Sequence, residues 1–141
     1  MASRRESRER AVQMLYLWDQ TRQEPDQVIA RYWDGLFSEE LPARRPPDDF
    51  ADELLRGAVG RAGQADGLIT AHAEHWRLER MPAVDRNILR LAVYELLEGQ
   101  TPVPVVIDEA LEIARRFSGE ESVHFINGVL DAVRKQLQAG G

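Results

Sequence analysis

Seven prolines, at positions 25, 42, 46, 47, 82, 102 and 104, divide this chain of 141 residues. Proline lacks a backbone N–H and its ring clashes with the preceding turn, so it is excluded from helix interiors. Between these breaks, apolar residues recur every three to four positions, the period of a helix buried on one face. The prolines therefore set the lengths of a series of helices.

The segments read as follows. Ser3 and Glu6 form an S-x-x-E capping box, which starts a first helix near residue 4. Ala11, Val12, Leu15, Tyr16 and Trp18 form its apolar stripe. Pro25 closes a connection, and Asp26 caps a second helix carrying Ile29, Tyr32, Trp33 and Leu36. "LPARRPPDD" is a loop. Asp48 or Asp49 then opens a long helical stretch with Phe50, Leu54, Val59, Leu68, Ile69 and Trp76, in which Gly57, Gly60 and Gly63 mark a close helix contact or a bend. Val84, Ile88, Leu91, Ala92 and Leu96 make "VDRNILRLAVYELLEG" the central helix of the core, with Gly99 at its C-cap. Ile107, Ala110, Leu111, Ala114 and Phe117 define another helix, and Ile126, Val129, Leu130, Val133 and Leu137 the last. "VPVVI" at 103–107 is the only strand-like run, and Pro104 makes it an extended loop. The expectation is an all-α, compact single domain over residues 1–141, a bundle of about seven helices.

Cysteine is absent, which excludes disulfides and thiolate metal sites. No apolar run reaches the ~20 residues needed to cross a bilayer, and the N-terminus has no apolar signal core. The expectation is a soluble, cytoplasmic protein. There is no P-loop, no G-x-S-x-G and no thiol nucleophile, so no enzymatic activity and no cofactor are expected. His72 and His75 share a helix face, but only His124 could add a third imidazole, so they read as polar surface rather than metal ligands. Glu39–Glu40 and Glu120–Glu121 read as solvated charge.

The charge distribution is uneven. Arg4, Arg5, Arg8 and Arg10 crowd the first ten residues of a chain with a formal net charge of −6. At about 100° per residue, Arg4, Arg5 and Arg8 fall on the side of the first helix that carries its apolar stripe, and Arg10 on the opposite, solvent side. Two readings fit: an anion site, or pairing with the protein's own carboxylates such as Glu120 and Glu121. Phe125 lies at the rim of the last helix's stripe. It is either a partly buried core residue or a face on which a base stacks.

"RRESRERAVQMLYLW", "FADELLRGAV", "VDRNILRLAVYEL", "PVPVVIDEALEIARRF" and "FINGVLD" follow one another across nearly the whole chain. In this order they closely resemble the bacterial NusB family of transcription antitermination factors. The resemblance implies two packed helical subdomains and a non-enzymatic role. It implies binding of boxA, a short single-stranded element of nascent ribosomal RNA leaders, together with NusE, which is also a small-subunit ribosomal protein. It implies entry into the RNA polymerase antitermination complex, as a monomer or a homodimer. By the same resemblance Arg4, Arg5, Arg8, His124 and Phe125 contact RNA, and Tyr16 and Glu121 face NusE. Glu6, His124 and Asp108 depart from residues common in the family. Two further readings are an accessory RNA-binding domain like that of ribosomal RNA cytosine methyltransferases, and a module that binds protein alone.

Overall fold

A computed structural model describes residues 3–37, 48–73 and 77–140, except for the side chains of 36 and 37. The expectations for Leu36, Glu39, Glu40, His75 and Trp76 lie outside the described residues. Among the described residues seven α-helices follow in order: α1 (Arg4–Thr21), α2 (Pro25–Phe37), α3 (Asp49–Gly60), α4 (Ala62–His72), α5 (Ala83–Glu98), α6 (Val103–Phe117) and α7 (Glu120–Gly140). A 3-10 turn, Leu78–Arg80, precedes α5. Among the described residues there is no strand, and the all-α class holds. The chain forms two compact units, Met1–Val59 and Gly60–Gly141.

In the first unit, α1 begins as its capping box requires, with the Ser3 hydroxyl accepting from the Glu6 N–H at 3.1 Å. Ala11, Val12, Met14, Leu15 and Trp18 are buried, and α1 packs on α2. Tyr16 leaves the expected stripe and is 44% exposed. Asp26 is not the cap: α2 already begins at Pro25, where the missing N–H costs nothing and the fixed φ suits the helix, and Asp26 lies in its first turn. Val28, Ile29 and Trp33 bury the inner face of α2. The stretch expected as one long helix is two. α3 ends at Gly60 and α4 starts at Ala62, with Arg61 between them at φ −110°, ψ 14°. A Cβ on Gly60 or Gly63 would meet nothing within 4 Å, so these glycines mark the interruption and not a tight contact.

In the second unit, α5 packs against α4, α6 and α7, as expected of a central helix. Ile88, Leu89, Leu91, Ala92 and Val93 are buried, and Gly99 ends the helix at φ 71°, a conformation that favours glycine. Burial extends further round α5 than its apolar stripe. Asp85, Asn87, Arg90 and Glu95 are buried too. Arg90 is satisfied by Asp66 of α4, with Nε–Oδ1 at 2.8 Å and Nη2–Oδ2 at 3.1 Å, and by Asn87 Oδ1 at 3.0 Å. This two-pronged pairing is what allows a guanidinium to sit inside a helical unit. "VPVVI" is helical, not extended. Pro102 is the N-cap of α6 and Pro104 lies in its first turn, where no intrahelical N–H bond is lost. On α7, Val123, Ile126, Val129, Leu130 and Val133 are buried.

Ile88 is 1% exposed at the centre of the second unit. Ile88→Ala is expected to destabilise the protein by about 2–5 kcal/mol, the range for large buried aliphatics, measured by chemical denaturation. A loss below ~0.5 kcal/mol would remove α5 from the core.

Candidate nucleic-acid interface

Two sets of side chains, one in each unit, carry the sequence expectations. The first surrounds the N-terminus of α1. Arg4 and Arg5 are exposed in its first turn, whereas Arg8 is only 5% exposed. Both Arg4 and Arg8 converge on Phe50, in the first turn of α3. The Arg4 Cζ lies 3.9 Å from the ring centroid and the Arg8 Cζ 5.5 Å. Arg10, expected to face solvent, is half-buried in an ion pair with Asp48, Nη1–Oδ2 at 2.7 Å. Its guanidinium also lies over Trp33, 5.5 Å from the ring centroid. A helical wheel assigns it to the polar side only because it cannot see α2 and α3.

Asp48 holds this arrangement together. It caps α3 by accepting from the Ala51 N–H at 3.1 Å, and the same oxygen accepts from the Ser7 hydroxyl at 2.7 Å. Its other oxygen takes Arg10. Burial raises the affinity of Asp48 for a proton, but hydrogen bonds from Arg10, Ser7 and Ala51 outweigh it, and its pKa lies below the ordinary carboxylate value. Tyr32 is shifted upward, chiefly by burial; Arg10 opposes this and Asp48 adds to it.

The second set lies in the other unit. A pocket of about 180 Å³ is lined by Met81, Pro82, Asp85, Glu121, Ser122 and Phe125. Phe125 is half-buried, so one part of its ring belongs to the pocket wall. Glu121 and His124 are exposed on the first two turns of α7. Asp85 is buried at the start of α5, and its two oxygens accept from the Ser118 and Ser122 hydroxyls, each at 2.7 Å. The α6–α7 turn between those serines contains Gly119 at φ 135°, again a conformation that favours glycine. A pocket with carboxylates in its lining and an aromatic wall disfavours a phosphate and suits the amino edge of a base.

Phe50, Asp48 and Asp85 carry no functional expectation in the sequence reading. Phe50 counts there as a stripe residue and Asp48 as a helix start. Only the partners reached across the fold reveal them. His72 hydrogen-bonds Gln136, and among the described residues no group of three or more metal-ligating side chains occurs. No helix among the described residues is long and apolar enough to cross a membrane.

The model of the NusB family matches residues 5–135, and the chain belongs to that family. It is 59% identical over 137 residues to the transcription antitermination protein NusB of Solibacter usitatus (strain Ellin6076), covering 97% of this chain and 92% of that protein. It is 51% identical over 138 residues to NusB of Koribacter versatilis (strain Ellin345), with 97% and 92% covered. The fold matches T. maritima NusB with a TM-score of 0.79 at 34% identity, covering 96% of this chain and 92% of that one. It also matches a structure of the antitermination factors NusB and NusE in complex with double-stranded RNA, with a TM-score of 0.78 at 25% identity over 94% and 96% of the two chains.

The depressed Asp48 value has a consequence for stability. The unfolded carboxyl titrates near ~3.9 and the folded one lower, so the fold favours the ionised form. That contribution is complete above the unfolded value and is lost as the pH falls through the folded value. Asp48→Asn is expected to cost about 1.5–3 kcal/mol at pH 7, the worth of hydrogen bonds to a charged group. The gap to the wild type should close progressively below pH ~4 in denaturant titrations. A gap constant from pH 7 to pH 2 would mean that the charge of Asp48 contributes nothing.

Proposed function

We propose that this chain is a transcription antitermination factor that binds boxA-type single-stranded RNA of nascent ribosomal RNA leaders together with NusE. On this reading it enters the RNA polymerase antitermination complex and catalyses no reaction. The carrying observation is the exposed basic first turn of α1 on an otherwise acidic chain of the NusB family. Its relatives are named as antitermination proteins, and one solved neighbour holds NusB with NusE and double-stranded RNA.

The roles divide by exposure and chemistry. Arg4 and Arg5 meet phosphate oxygens through their planar N–H forks. Arg8, only 5% exposed, packs on the same Phe50 ring as Arg4. Phe125 stacks a base, and His124 lies beside it on α7. Tyr16, exposed three turns along α1 from Arg4, offers an aromatic anchor to NusE, and Glu121 adds an acidic contact to that basic ribosomal protein.

The test is a shift assay with a boxA-type RNA and a scrambled RNA of equal length, with and without NusE. Arg4→Glu combined with Arg5→Glu is expected to abolish selective RNA binding and spare NusE binding. With two exposed cations, the log–log salt slope of the wild type should be shallow, roughly −1 to −2 at ~0.7 per phosphate. Unchanged RNA affinity in the double reversal, measured in the NusE complex, would overturn the RNA site. Tyr16→Ala is expected to weaken NusE binding about tenfold or more, as truncation of an aromatic hot spot does, while the melting temperature stays within a few degrees. Unaltered NusE affinity in that variant would remove Tyr16 from the interface.

A further inference from the structure

We propose that Phe50 is a positioning residue for RNA: its ring face fixes the guanidinium groups of Arg4 and Arg8 so that the basic edge of α1 is formed before RNA arrives. The inference rests on the RNA reading of the arginines. Its own observations are independent of that reading. Two cations from successive turns of α1 share one ring, with Cζ–centroid distances of 3.9 and 5.5 Å. The core of α3 is made by Ala51, Leu54, Leu55 and Ala58, all buried, whereas Phe50 stays half-exposed. A half-exposed aromatic therefore carries two guanidinium groups at the start of α3.

The chemistry favours an aromatic partner over a carboxylate. A guanidinium is flat, with its N–H donors in the plane. Stacking on a ring uses the face and leaves the donor edge of the exposed Arg4 where phosphate oxygens reach it, while the buried Arg8 packs on the same ring from within. A carboxylate would occupy those donors and cancel the charge. The ring also restricts side chains that otherwise lose rotamer entropy when a ligand fixes them. Phe50 is itself held, because Asp48, two residues earlier, caps α3 and is bound to Ser7 and Arg10 of α1. The ring therefore sits at a fixed height along α1, opposite the turns that carry Arg4 and Arg8.

The experiment compares Phe50→Leu, which keeps apolar bulk without a π face, with Phe50→Tyr, which keeps the face. Affinity for a boxA-type RNA is read by fluorescence anisotropy on the full chain with NusE, at a temperature where circular dichroism shows every variant folded. Phe50→Leu is expected to bind about 2- to 5-fold more weakly, the effect of losing the exposed cation–π contact of Arg4, with Phe50→Tyr close to the wild type. Wild-type affinity in Phe50→Leu, or an equal loss in both variants, would overturn the proposal. Arg4→Gln with Arg5→Gln is the control for the underlying reading: if it weakens binding while Phe50→Leu does not, the arginine site stands and the role of Phe50 falls. If it changes nothing, the RNA reading itself fails. One measurement needs no variant. The side-chain δ-protons of Arg4 in the free protein should resonate upfield of random-coil positions through the ring current, and random-coil shifts would overturn the stacking.

Discussion

Asp48 answers three donors with two oxygens, and the first unit is organised around that demand. A buried carboxylate without partners would protonate or unfold its surroundings. Here the Ala51 amide, the Ser7 hydroxyl and the Arg10 guanidinium compensate it. Because the first of these belongs to α3 and the other two to α1, one charge fixes the start of α3 against the side of α1. The height of Phe50, and so the two arginines that lie on it, follow from this bond. The second unit uses the same logic with the sign reversed. There the buried cation Arg90 is neutralised by Asp66 and steadied by Asn87. Breaking either arrangement from one side would leave an uncompensated charge inside, which is why each partner matters more than its own hydrogen bond.

On the proposed function, the acidity of the chain and its basic start serve different ends. A net charge of −6 gives a field that discourages indiscriminate attachment to nucleic acid and attracts a basic protein. The local cations then act only at short range, within a Debye length of about 8 Å at physiological salt. Of the 18 basic residues, Lys135 alone is lysine. Stacking on Phe50, Trp33 and Trp18, as Arg4, Arg10 and Arg22 do, is a use to which guanidinium is suited and a compact ammonium is not.

Local signals were legible in the sequence. The Ser3 cap, the Gly99 terminus and the apolar run of α5 depend on residues a few positions apart, and they occur where expected. The family was legible in five ordered motifs. What the sequence did not reveal depends on distance along the chain. Ser7 and Asp48 are 41 positions apart, and Ser118 and Ser122 meet Asp85 across 33 and 37. Hydrophobic periodicity treats such polar residues as solvent-facing, so it placed Arg10 outside and missed Asp85. Pro104 misled for another reason: a proline in the first turn of a helix follows the opposite rule from one in its middle. A helical wheel puts Tyr16 in the buried stripe because it records direction and not what stands opposite.

The clamp of Asp85 on Ser118 and Ser122 bears on how quickly a ligand is captured. Its two bonds span the turn that contains Gly119, so α7 starts in a set orientation and the wall formed by Phe125 and Glu121 is already in place in the free protein. The ordering entropy of this segment is met at folding and not at encounter. For the RNA contact proposed above, a wall ordered in advance removes one rearrangement from binding, so association would follow diffusion and charge steering, and differences in affinity among ligands would be expressed in how long each one stays.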